Sequence, residues 1–173
     1  PDGFAEVASP AEELIHGATA GVLIGDGAAA TALAARAVRL ARTRGEIALI
    51  PPALEAAAFA ALAAGHHTAA AEAATEGAGL ALRTGQPVLA EVHFGILAVV
   101  AALRGDEDTT HDLVRRTGAH PGPSQARALC DWALSLLDLA AGRPQPAAAR
   151  LAALVTAPAG HANAVLRIAA TPH

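Results

Sequence analysis

The sequence predicts an all-α fold, a right-handed stack of antiparallel helix pairs, from three observations. The first is composition. Alanine dominates the 173 residues, Met and Tyr are absent, and Phe4, Phe59, Phe94 and Trp132 are the only aromatic residues. Alanine costs no side-chain entropy in a helix and lets backbones approach closely, whereas strands favour the β-branched and aromatic residues that are sparse here. The second is punctuation. Gly45, Gly65, Gly85, Gly105, Gly118 and Gly142 divide the chain into helix-length segments, as in a stacked repeat of about 35 to 40 residues. The third is periodicity. Leu89, Val92, Ile96, Val99 and Leu103 step by three and four, and Leu129, Trp132, Leu136 and Leu139 do so again, which is the helical and not the strand pattern.

These signals place helices at about 10–24, 27–44, 46–64, 67–84, 87–104, 106–117, 122–141, 144–156 and 163–170, all within one helical-repeat domain spanning 1–173. Ser9-Pro10-Ala11-Glu12 reads as a capping box with proline at the first helical position. Asp26, Asp106, Glu107 and Asp108 lie at helix starts and Arg42, Arg44, Arg83, Arg115 and Arg116 at helix ends, so the charges complement the helix dipoles. Pro51-Pro52 conflicts with a helix from 46. That helix either begins near Pro51 or has a distorted first turn. Gly17, Gly21 and Gly25 recur every four residues and predict close helix crossing.

The length supports a continuous core without a metal or disulfide staple. A formal charge of -4 gives no basic footprint for phosphates, so no direct nucleic-acid contact is expected. Cys130 is the single cysteine and sits between apolar helix residues, as a small core residue would. No apolar run reaches the roughly 18 residues that span a bilayer, and no secretory signal opens the chain. The expectation is a cytoplasmic protein with no membrane contact. Its opening on Pro1 and its close at Thr171-Pro172-His173 read as a slice of a longer polypeptide.

Several motifs suggest chemistry. Gly21-Val-Leu-Ile-Gly25-Asp-Gly27-Ala-Ala-Ala30 carries a G-x-G-x-x-A pattern after an apolar run, and Ile47-Ala-Leu-Ile50 offers a second strand. The dinucleotide reading fails because no further strand candidates follow and no acidic residue closes the second run. Eight histidines show no H-x-x-x-H spacing, and adjacent His66 and His67 point apart, so no metal is expected. There is no G-x-S-x-G elbow or Walker loop. No catalytic residue and no cofactor are therefore expected. Arg36, Arg39, Arg42 and Arg44 form a basic ridge, readable as a solvated helix face or as a docking surface.

The turn Gly65-His-His-Thr-Ala-Ala70 resembles that of tetratricopeptide repeats, where a glycine ends the first helix and a small residue follows five positions later. Gly142-Arg-Pro-Gln-Pro-Ala147 repeats it, and Gly105 to Thr110 does so with threonine. On this register 46–64, 87–104 and 122–141 are first helices, and 67–84, 106–117 and 144–156 are second helices. The usual large aromatics of the repeat are mostly missing, so the resemblance is to a degenerate, tetratricopeptide-like α-solenoid.

Ala78-Gly-Leu-Ala-Leu-Arg-Thr-Gly-Gln-Pro87, Ala101-Ala-Leu-Arg-Gly-Asp106, Trp132-Ala-Leu-Ser-Leu-Leu-Asp-Leu139 and Ala164-Val-Leu-Arg-Ile-Ala-Ala-Thr-Pro172 are similar to the helical-repeat region of large actinobacterial ATP-binding transcriptional regulators of the LuxR class, the MalT-like family. That resemblance implies a non-catalytic sensor or protein-interaction module. Its concave surface would bind a protein partner, another domain of the parent chain or a small-molecule effector. His93 and Trp132 fall in first helices and are the candidate groove-facing residues, with core packing the alternative role for Trp132. The competing expectation is a generic scaffold that mediates self-association as a homo-oligomer, with no small-molecule ligand.

Overall fold

A computed structural model describes residues 9–117 and 124–156. Eight α-helices follow one another: α1 (Pro10–Ile24), α2 (Gly27–Arg44), α3 (Ile50–Ala63), α4 (His67–Arg83), α5 (Pro87–Leu103), α6 (Glu107–Arg116), α7 (Gln125–Ala140) and α8 (Pro144–Thr156). No strand occurs among the described residues. The Gly25–Ala30 segment is a helix end, a turn and a helix start, with Asp26 Oδ1 accepting from the Ala29 amide at 2.9 Å. Ile47 to Leu49 is a 3-10 turn rather than a strand, and α3 then starts with both prolines in its first turn. There their missing amides cost nothing, because first-turn amides have no intrahelical acceptor. The expected helix at 163–170 lies outside the described residues.

One turn design is used six times among the described residues. Gly25, Gly45, Gly65, Gly85 and Gly105 recur every 20 residues and, with Gly142, hold φ between 68° and 79°. This left-handed conformation is one that glycine alone adopts at little cost. It lets the next amide reach back to a carbonyl five residues earlier. Asp26, Glu46, His66, Gln86, Asp106 and Arg143 donate to Gly21, Ala41, Ala61, Ala81, Ala101 and Asp138 at 2.8 to 3.0 Å. The next helix starts directly after that donor, so each linker is minimal, apart from the 3-10 turn after Glu46.

The chain folds back tightly at these turns, which forces small residues on both sides. Ala30, Ala70, Ala90, Thr110 and Ala147, each five after a turn glycine, are almost fully buried. A Cβ on Gly21 would come within 3.0 Å of the Ala30 backbone, and one on Gly17 within 3.1 Å of Leu33 Cδ1. The expected close crossing is therefore present at these two positions, while Gly25 serves the turn. At the last turn Asp138 replaces the small residue. Its carboxylate is held by Arg143 Nε at 3.0 Å and Arg150 Nε at 3.3 Å.

Each helix packs against its chain neighbours, and the odd-numbered helices also touch in sequence, α1 on α3, α3 on α5 and α5 on α7. The α5–α7 contact is as extensive as any within a pair, whereas α6 barely meets α7. Gly95 explains the intimacy: a Cβ there would lie 2.8 Å from Leu129 Cβ. Side chains at the pair junctions link the row further. Ser9 Oγ donates to the Glu46 carboxylate at 3.1 Å, and Gln86 Nε2 donates to the Ala48 carbonyl at 3.2 Å. The Ser9 amide donates to Glu12 Oε2 at 2.7 Å, completing the capping box. Asp106 and Ser124 cap α6 and α7, and Ser124 sets the start of α7 at Gln125, three residues later than the sequence pattern suggests.

The turn conformation predicts a paired result. Gly65→Ala meets no neighbouring atom, so it isolates the cost of the left-handed backbone and should destabilise by about 1–2 kcal/mol. Gly27→Ala, at the first position of α2 and equally unobstructed, should be neutral or slightly stabilising. Urea unfolding midpoints of the two variants test the contrast.

Candidate functional site

Three successive odd helices each place one aromatic residue in the same apolar cluster: Phe59 from α3, Phe94 from α5 and Trp132 from α7. Phe59 is buried, while Phe94 and Trp132 are half-buried, as are Leu62, Leu97 and Leu136 packed beside them. These side chains combine core contact with accessible surface. Trp132 thus packs on the core and retains an accessible part.

His93 is placed differently from the groove position expected for it. It is 0% exposed, enclosed between α3 and α4. Its ring lies over Gly77, where an added Cβ would overlap the imidazole. A glycine in a helix interior costs about 1 kcal/mol against alanine, and here it makes room for the ring. The ring Nε2 is 3.2 Å from the Pro51 carbonyl oxygen. A carbonyl only accepts, so the proton belongs on Nε2 and Nδ1 carries the lone pair. Nδ1 is buried without a hydrogen-bond partner among the described residues. Burial lowers the His93 pKa to about 4, against the smaller upward pull of the Pro51 carbonyl.

A second polar contact ties two non-consecutive odd helices. Gln125 Nε2 donates to Glu55 Oε1 at 2.9 Å, linking α7 to α3. Burial pushes the Glu55 carboxyl above its usual range, and the bond from Gln125 offsets this only in part. Glu91 of α5 is also buried, at 5% exposure. Sequence pattern missed these contacts because Glu55 and Gln125 are 70 positions apart and neither belongs to a spaced motif. The glycine at 77 was the one available signal for His93, since an interior helix glycine implies a packing reason.

The remaining candidates separate. Arg42 pairs with Glu76 on α4, and Arg44 approaches Glu46 at 3.9 Å. Arg36 and Arg39 stay exposed beside an open hollow with Leu14, Leu40 and Thr43. The ridge is thus half ion-paired and half solvated. His66 and His67 edge a shallow depression with Glu72 and Arg104. Among the described residues no three His, Cys, Asp or Glu side chains are grouped to hold a metal ion, and no helix is long and apolar enough to cross a membrane. Comparison with protein families, with curated proteins and with solved structures gives no match to this chain.

Two outcomes follow for His93. Gly77→Ala should destabilise by about 2 kcal/mol through overpacking, and adding His93→Ala should recover part of that loss, so a double-mutant cycle gives a favourable coupling between the two changes. The pH dependence has a definite sign. The unfolded ring takes up a proton near 6.5 and the folded ring near 4, so stability is full above pH 6.5 and falls as pH drops towards 4. The loss reaches about 3 kcal/mol. In His93→Gln this component of the slope should vanish in chemical unfolding measured across that range.

Proposed function

We propose that this chain is a non-catalytic sensor or protein-interaction module of a transcriptional regulator. In this reading it is a tetratricopeptide-like, right-handed solenoid whose odd-numbered helices line the concave side. The supporting observation is the contiguous row of odd helices with Phe94, Leu97, Trp132 and Leu136 half-exposed along it. Helices that touch along one row and separate on the other curve the stack towards the touching row. Amphipathic aromatic surface on such a row is the kind that interfaces use. The regulator context rests on the sequence resemblance to the MalT-like family and carries with it a cytoplasmic location. The occupant of the concave side is another domain of the parent chain, a protein partner or a small effector. A bound occupant acts on the rest of the regulator if it prefers one curvature over another.

A second reading, a scaffold that self-associates, draws on a different surface. Ile24, Leu103 and Leu139 are 78%, 41% and 50% exposed, and all three precede turns at the same end of the helix pairs, those at Gly25, Gly105 and Gly142.

Trp132 is the only tryptophan and Tyr is absent, so its emission reports on the odd-helix row alone. Titration with the remaining domains of the parent polypeptide and with a metabolite set should give a saturable emission change. Phe94→Glu should weaken that response at least tenfold. Absence of any such change, together with a concentration-dependent mass that Leu103→Glu and Leu139→Glu abolish, would replace the first reading with the second.

A further inference from the structure

A cavity of about 230 Å³ lies between α6, α7 and α8, lined by residues other than the aromatic ones of the odd-helix row. Val114 of α6 and Thr117 at its end, Arg127, Cys130, Asp131 and Leu134 of α7, and Arg150 of α8 line it. Its volume is below the roughly 300–1,000 Å³ of sites for drug-sized ligands, so it suits a molecule of amino-acid size.

The charges in this cavity are unusual in what they leave unpaired. Arg150 is engaged by Asp138 at 3.3 Å. Arg127 and Asp131 stand four residues apart on α7, the spacing at which opposite charges ordinarily meet. Neither side chain makes a hydrogen bond or ion pair among the described residues. Their backbones take part in helix contacts only: the Arg127 amide donates to Ser124, and the Asp131 carbonyl accepts from Ser135. Among the described residues, Arg127 and Asp131 thus line the same small cavity without a side-chain hydrogen bond or ion pair, acting on each other only through their charge. Asp131 is half-buried, and its withdrawal from water raises its pKa despite Arg127 and Arg150 nearby. A carboxylate in that position gains from an incoming cation. Val114, Leu134 and the Cys130 thiol supply the less polar part of the lining, with Thr117 beside Cys130. Burial pushes that thiol's pKa up, which keeps it neutral.

We propose that this cavity is a binding site for a free α-amino acid with a short aliphatic side chain. Arg127 receives the carboxylate, Asp131 receives the ammonium group, and Val114, Leu134 and Cys130 contact the side chain. A ligand with only one of the two charges leaves the other protein charge unpaired. The site therefore discriminates against simple acids and simple amines. The inference does not depend on the role of the odd-helix row, because it uses other residues and a different face of α7.

The test is calorimetric titration and thermal shift of the whole chain with L-leucine and L-valine. 4-Methylpentanoate and 3-methylbutylamine supply the acid and amine halves of leucine. The expected result is saturable binding of the amino acids, with each half-ligand at least tenfold weaker. Arg127→Gln and Asp131→Asn should each reduce leucine binding by a similar factor with unchanged circular dichroism, and Arg36→Gln on α2 should leave it intact. The half-ligand comparison uses the unaltered protein, so it stands even if a variant folds poorly. No saturable response to either amino acid at millimolar concentration overturns the proposal, as does equal binding of leucine and a half-ligand.

Discussion

The left-handed glycine turns are the constraint on which the rest of this structure depends. Each turn ends one helix and satisfies a carbonyl that the helix would otherwise leave unpaired, and all but the one at Gly45 start the next α-helix directly after a single donor residue. With so short a linker, the relative position of the two helices is fixed by backbone geometry before any side chain is considered. The recurrence every 20 residues from Gly25 to Gly105 then repeats that local geometry along the chain.

Close folding at the turns explains the alanine content. The residues flanking each turn face each other at backbone distance, as the 3.0 Å limit at Gly21 shows, and only small side chains fit there. The aromatic residues lie further along the helices, away from the turns. There the odd-numbered row carries Phe59, Phe94, Trp132 and the leucines around them. Asp138 shows what happens when the rule is broken: a carboxylate in the small-residue position recruits two arginines, and their hydrogen bonds and charge, with Arg143 foremost, hold it below the usual carboxylate range.

Interior glycines set how closely particular helices approach. Gly77 admits the His93 ring between α3 and α4, and Gly95 lets α5 lie against Leu129 of α7. Both cases exchange helix propensity for contact. At His93 the same close packing buries a ring nitrogen without a hydrogen-bond partner among the described residues, so the tight interior carries a polar cost that depends on protonation. The odd-helix row is continuous because α5 and α7 touch directly, with the short α6 standing aside.

The sequence by itself determined the helical class, the turn glycines, the capping box at Ser9 and the charge placement at helix ends. All of these are local: they depend on residues within one helical turn of one another, and hydrogen bonds of fixed spacing enforce them. It also marked Pro51-Pro52 as a disturbance, which the structure resolves into a 3-10 turn followed by a helix with both prolines in its first turn. The tertiary structure decided where side chains on one helix are directed. His93 lies on α5, and it points into the seam against Pro51 and Gly77. Glu55 meets Gln125 from 70 residues away. Arg127 and Asp131 have the spacing of an ion pair and line a cavity without making one. Helical spacing gives the angle of a residue around its own axis, but what lies at that angle depends on which neighbour packs there and how close its glycines let it come.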